Sequence, residues 1–217
     1  GVTSPFIVGE LTNGTKYSFS VNGRVGGGPG GPGAATLSAT PRLAGNSWTA
    51  GAPISGAEFN AVTASGAAVA YVAVGNGGVV QTSADAITWV ARTSGTTNDL
   101  LSAATNGTIT VAVGKAGTAL NSANGGETWA LTNATTTQDL RAVAFGGVSF
   151  IAAGAGGVVF GSTDGVTWAA RTSGVTGDIL GAAYANNTYV LVGASGLVLT
   201  IPDGLTLTNR SIAGAGN

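Results

Sequence analysis

An all-β fold of repeated four-stranded units set around a common axis is what this sequence predicts, on three observations. The four tryptophans, Trp48, Trp89, Trp129 and Trp168, are spaced by 41, 40 and 39 residues, and one further step of the same size reaches Leu207. Gly75, Gly114, Gly154 and Gly193 keep the same period, in the segments VAVGNGG, VAVGKAG, IAAGAGG and VLVGASG. Glu58, Asp99, Asp139 and Asp178 keep it a third time, each followed directly by Phe, Leu, Leu or Ile. Within one unit, Asp99 to Leu131, four short runs stand out: LLSAAT, TITVAVG, TALNS and ETWAL. They are rich in Val, Thr, Ile and Ala, and NG, KAG and ANGG turn signals separate them. A single sheet of this kind cannot bury both its faces, so its neighbours must stack on it, and the expected architecture is a β-propeller. Residues 58 to 210 hold four such blades, and Trp48 supplies the outer strand of a further one, so four or five blades fit the pattern.

Composition narrows the chemistry. The 217 residues include no Cys, His or Met, which excludes disulfides, thiol nucleophiles, Cys/His zinc sites and imidazole bases. Charged residues make up only 8% of the chain and the formal net charge is -1, so no row of cations is available for nucleic-acid phosphates. With 44% hydrophobic residues the chain can build a core, and it lacks the signature of disorder. The uncharged stretch Ala142 to Thr163 is long enough to cross a bilayer, but its six glycines read as strands and turns, so no membrane span is expected. Gly1 in place of Met suggests a processed product or a part of a longer polypeptide, and no signal sequence is visible at the start.

The turn before each repeated Trp carries the most specific motif. Ser83, Asp85 and Trp89, then Ser122, Asn124, Gly126 and Trp129, then Ser162, Asp164, Gly165 and Trp168 share a Ser, an Asp or Asn two residues on, and a Thr-Trp pair. Such a short acceptor side chain suits the backbone N–H groups of a tight turn, Gly takes any positive φ, and Trp packs a wide ring between blades. The motif resembles the Asp-box, or BNR repeat, of the sialidase-like and photosynthesis-assembly-factor-like β-propellers, over about residues 46 to 212. Asn124 replaces the usual Asp, and Ala86 stands where the third copy has Gly165. A fourth copy around Asp203 and Gly204 has lost both Ser and Trp, as expected of a terminal repeat. In that family the Asp-boxes are structural and lie away from the active face.

Residues 1–41 read as a separate segment and 42–217 as the propeller. The stretch from Leu11 to Tyr17, the Gly-rich tip from Gly26 to Gly33 and the run ending at Pro41 are similar to the last strands of a fibronectin type III domain. Tyr17 would then be its tyrosine-corner residue. The other reading is a Gly/Pro linker after an edge hairpin.

Two sets of candidate site residues follow. Glu58, Asp99, Asp139 and Asp178 each open the first strand of a blade, the one expected to line the axis. They would either form a carboxylate ring holding Ca²⁺ or cap the turn of the preceding blade, and the second reading is favoured because Asp is a common turn former. Asn76, Arg92, Lys115 and Arg171 lie in Thr-, Ser-, Asn- and Gly-rich loops on the predicted binding face, suited to hydrogen bonding with a sugar or a protein. Sialidases use an arginine cluster, a Tyr nucleophile and acids. Here Arg92 and Arg171 are repeat-equivalent, which points to structure reused by duplication, and no catalytic residue is assigned. Sequon-like triplets such as Asn106-Gly-Thr108 read as turn chemistry.

The leading functional expectation is a non-enzymatic extracellular, cell-surface or virion protein. It would bind glycan or protein through its propeller loops, with self-assembly into a fibre or larger particle. A soluble propeller acting as a protein-binding assembly factor, and a sialidase-like enzyme fragment, are the alternatives.

Overall fold

A computed structural model describes residues 17–19, 37–39, 56–64, 71–202 and 206–211. The chain divides into two compact units, Gly1–Pro53 and Ile54–Asn217, so the division falls C-terminal to the boundary read at Pro41. In the first unit, β1 (Tyr17–Phe19) pairs antiparallel with β2 (Leu37–Ala39). The Gly-rich tip and Trp48 lie outside the described residues.

The second unit is built of four antiparallel four-stranded sheets, each a simple meander in chain order. The first blade holds β3 (Phe59–Ala64), β4 (Tyr71–Gly75), β5 (Val80–Ser83) and β6 (Val90–Arg92). The second holds β7 (Leu100–Thr105), β8 (Thr110–Gly114), β9 (Thr118–Ser122) and β10 (Ala130–Asn133). The third holds β11 (Leu140–Gly146), β12 (Ser149–Gly154), β13 (Val159–Ser162) and β14 (Ala169–Arg171). The fourth holds β15 (Ile179–Ala185), β16 (Thr188–Gly193), β17 (Val198–Ile201) and β18 (Thr208–Asn209). The fold is an all-β propeller, and the runs read from sequence as strands in the second blade are strands, except that Thr108 and Ile109 precede β8 and Glu127, Thr128 and Trp129 precede β10. The apolar stretch Ala142 to Thr163 is β11 to β13 and their turns, and no described helix is long and apolar enough to cross a membrane.

Sheets stack face to face, and the first strands of successive blades pack on one another: β3 on β7, β7 on β11, β11 on β15. Every residue of β8 and β12 is buried, because a blade covers each side, whereas the outer strands β6 and β14 are largely exposed. Each junction has its own apolar cluster. Trp129 packs with Val72, Val74 and Leu120 between the first two blades, and Trp168 with Val111, Val113 and Phe160 between the second and third. Leu207 packs at the third junction with Ile151, Leu191 and Leu199, taking the place of the lost indole. Among the described residues no comparable packing joins the fourth blade to the first, so the four sheets form an open arc.

The repeated glycines are explained by close approach. Gly75, Gly114, Gly154 and Gly193 have extended backbone, but a Cβ on any of them would collide with the carbonyl oxygen of Glu58, Asp99, Asp139 or Asp178 respectively. That approach lets each acid's carbonyl accept the N–H of the next residue of the turn, at 2.9 Å from Asn76, Lys115 and Ala155 and 3.1 Å from Ala194.

Candidate functional site

The Ser-x-Asp turns form one edge of the arc. In the first blade, Asp85 Oδ1 accepts the backbone N–H groups of Ile87 and Thr88 at 2.8 and 2.7 Å, and the Ser83 hydroxyl donates to it at 3.0 Å. Ser83 Oγ in turn accepts the N–H of Ala86 at 2.9 Å. The third blade repeats this with Ser162, Asp164, Val166 and Thr167, and Gly165 N–H donates to Ser162 Oγ. The N–H groups of Thr88 and Ile87 hold the Asp85 carboxyl down from 3.8 to about 2, and those of Thr167 and Val166 do the same for Asp164. In the second blade Asn124 accepts from Ser122 and Thr128 N–H through its carbonyl oxygen and donates to the Thr128 hydroxyl, so the amide serves the same turn without a charge. These residues fold the hairpins.

The opposite ends of the strands carry the short turns η1 (Asn76–Gly78), η2 (Lys115–Gly117), η3 (Ala155–Gly157) and η4 (Ala194–Gly196), together with the acids. Asp99 Oδ1 accepts the N–H of Gly77 at 2.8 Å, Asp139 that of Ala116 at 3.1 Å, and Asp178 that of Gly156 at 2.9 Å. Each carboxylate thus ties its blade to the turn of the blade before it. Glu58, one methylene longer, instead accepts from Asn76 Nδ2 of its own blade at 2.6 Å. Cations stand among these acids. Lys115 Nζ lies 2.5 Å from Asp99, and Arg141 lies 3.8 Å from Asp139 and 3.5 Å from Asp178. Its bond to Lys115, and then that to Gly77 N–H, lowers the Asp99 carboxyl, while Asp99 raises the Lys115 ammonium. Among the described residues no three acidic side chains gather in a way that could hold a metal ion. This end of the arc has capped turns and ion pairs.

Of the four residues expected on one binding face, Asn76 and Lys115 belong to this charged end. Arg92 donates from Nε to Thr82 Oγ1 at 2.9 Å and lies 3.7 Å from Glu127, which sits in the Ser-x-Asn turn of the next blade. Arg171 lies over Gly161, the repeat-equivalent of Thr82, and lines a hollow with Gly146, Ser149 and Tyr184. Both guanidinium groups run along the outer strands, and Arg92 also lines a hollow with Gly77 and Gly78 of η1 and the loop from Thr93 to Asn98.

Arg141 is the residue that the choice of candidates from sequence missed. The register of each first strand shifts at one place, between Phe59 and Ala61, Leu100 and Ser102, Leu140 and Ala142, and Ile179 and Gly181. A bulge re-aims its extra residue. Here those residues are Asn60, Leu101, Arg141 and Leu180, and Asn60 bonds Asn76 and the Leu100 carbonyl. The signal was present in the alignment of repeats: directly after a strictly repeated acid-apolar pair, two copies have Leu and the other two have Asn and Arg.

No protein-family model matches this sequence, and no curated protein matches it significantly. Solved structures do. YCF48 from Cyanidioschyzon merolae is similar with a TM-score of 0.59 and 16% identity, over 75% of this chain and 59% of that one. The structure of YCF48 bound to D1 peptide gives a TM-score of 0.57 and 19% identity, over 72% and 55%. The GH74 enzyme of Niastella koreensis gives 0.52 and 19%, over 69% of this chain and 24% of that enzyme. At these identities the likeness is one of fold, and this chain spans little more than half the length of the YCF48 chains it matches.

Proposed function

We propose that this chain is a non-enzymatic, protein-binding propeller that grips an extended segment of a partner at the charged end of its blades, in the manner of an assembly factor. The observation that carries this reading is the charged set itself. Glu58, Asp99, Asp139 and Asp178 outnumber Lys115 and Arg141 there, on a turn scaffold held rigid by backbone bonds. A similar fold has been solved with a peptide bound, which supports the class of ligand. The excess of carboxylates selects a segment bearing Lys or Arg. An array of synthetic peptides of graded charge tests it. Basic peptides should be retained, with binding that weakens at high salt and falls about tenfold in an Asp139→Asn/Asp178→Asn variant, whose amide oxygens still cap the turns. Retention that ignores both peptide charge and the substitutions would refute it.

Where the propeller works is a separate proposal. The low charge and the lack of Cys and Met suit an extracellular, cell-surface or virion setting. Electron microscopy showing fibres or particle-associated density would carry that placement.

A further inference from the structure

The carboxylates of the charged end are unevenly compensated. Among the described residues no ion pair neutralises Glu58 of the first blade, which accepts instead from the Asn76 amide. In the second blade Lys115 pairs with Asp99 and cancels its charge. Between the third and fourth blades a single cation, Arg141, serves both Asp139 and Asp178. The surplus negative charge therefore lies on either side of the second blade, whose own share of this end is neutral.

Leu101 stands at that neutral centre. It holds the bulge position of β7, where the register shifts between Leu100 and Ser102. The equivalent residues show what this position reaches. Asn60 bonds Asn76 of its own blade and the Leu100 carbonyl of the next. Arg141 likewise meets Asp139 of its own blade and Asp178 of the next. Both bridge two blades at the charged end. In the second blade the same position falls between the Lys115–Asp99 pair and the third blade's Asp139, and there it carries a half-buried leucine. Its neighbours along the strand already serve the blade junctions, since Leu100 is fully buried and Ser102 Oγ accepts the Val143 N–H of the third blade at 3.2 Å. Leu101 itself has no polar group to join the surrounding ion pairs, and its aliphatic surface gains by being covered.

We propose that Leu101 is the specificity-determining residue of this end, receiving a large aliphatic side chain of a partner segment that carries Lys or Arg to either side of it. The inference rests on the peptide-binding reading and adds to it an apolar residue at the centre. Stacked sheets lie about 10 Å apart, the length of about three extended residues, so each basic residue falls about three positions from the aliphatic one. Glu58 attracts one flank, and Asp139 with Asp178 the other. The aliphatic side chain then separates this partner from cationic segments in general.

Fluorescence-anisotropy titration of the full chain with two synthetic peptides tests it. Both peptides carry a lysine at that spacing on either side of a central position, which is leucine in one and serine in the other. The leucine peptide should bind about tenfold more tightly. Leu101→Asn, which gives the second blade the residue of the first, should remove that advantage and leave the serine peptide's affinity unchanged. Leu101→Met should keep the preference. Disturbed packing would weaken both peptides together, so equal weakening in Leu101→Asn overturns the assignment, as does a preference that survives the substitution. Equal affinity of the unsubstituted chain for the two peptides overturns it as well, while leaving the charge-based reading intact. Failure of both peptides to bind removes that reading and this inference with it.

Discussion

Asp85 and Asp164 show how much one short side chain decides in this protein. Each accepts two backbone N–H bonds and a Ser hydroxyl, and both carboxyls are held near 2, below the ordinary 3.8. A depressed folded pKa stabilises above the unfolded value and is lost as pH falls through the folded one. The contribution is therefore complete above about pH 4 and disappears toward about pH 2. Hydrogen exchange followed down that range should show the amides of Ile87, Thr88, Val166 and Thr167 losing protection. The Thr128 amide, bonded to the uncharged Asn124, should hold until the whole fold opens. Equal loss at all three turns would mean that the carboxylates do not set this behaviour. A neighbouring position gives a second expectation. Gly165 has φ +70°, and a Cβ there would lie 2.9 Å from methyl groups of Ile109 and Val111 in the preceding blade. Gly165→Ala should cost about 1–3 kcal/mol in urea unfolding. Its counterpart Ala86 sits at φ +62° and is exposed, so Ala86→Gly should gain about 0.5–1 kcal/mol.

At the scale of the blade, the wedge between sheets decides stability. Trp168 is 8% exposed within the cluster that joins the second and third blades. Trp168→Ala should lower unfolding free energy by about 3–5 kcal/mol, the range for an aromatic removed from a core. Trp89, half-buried and outside the three inter-blade clusters of the described residues, should cost less than half as much. Equal losses would show that the indole stabilises its own sheet instead of a junction. Strand positions were largely legible in the sequence, because the second and third strands are covered on both sides and keep near-continuous apolar runs such as VAVG. The bulge that re-aims Arg141 was not, since it arises from pairing between Leu140 and Gly154 and then Ala142 and Ala153, a register that no local pattern states. The direction of the Arg92 and Arg171 side chains was not legible for a similar reason. Sequence placed their backbones at strand ends, but a long side chain can run either way along the strand, and Thr82 and Gly161 provide the room that draws both outward.

At the scale of the whole molecule, the propeller class was readable from period alone. A recurrence of Trp, Gly and acid every 40 residues or so demands one supersecondary unit repeated, and alternating Val, Ala and Thr demand that it be a sheet. The paired readings of the acids, as an ion-binding ring or as turn caps, could not be separated that way, because both require a carboxylate at the start of each first strand. In the structure three of the carboxylates accept the turn N–H groups of Gly77, Ala116 and Gly156, and Arg141 stands beside Asp139 and Asp178. By itself, then, the sequence determined the fold class, the unit of repetition and the chemistry of each hairpin, since these rest on contacts among residues near one another along the chain or at one fixed spacing. Only the tertiary structure decided which side chains share a face and how the four described sheets turn on one another. Both depend on small rotations between stacked sheets that accumulate from blade to blade and leave no mark on residue spacing.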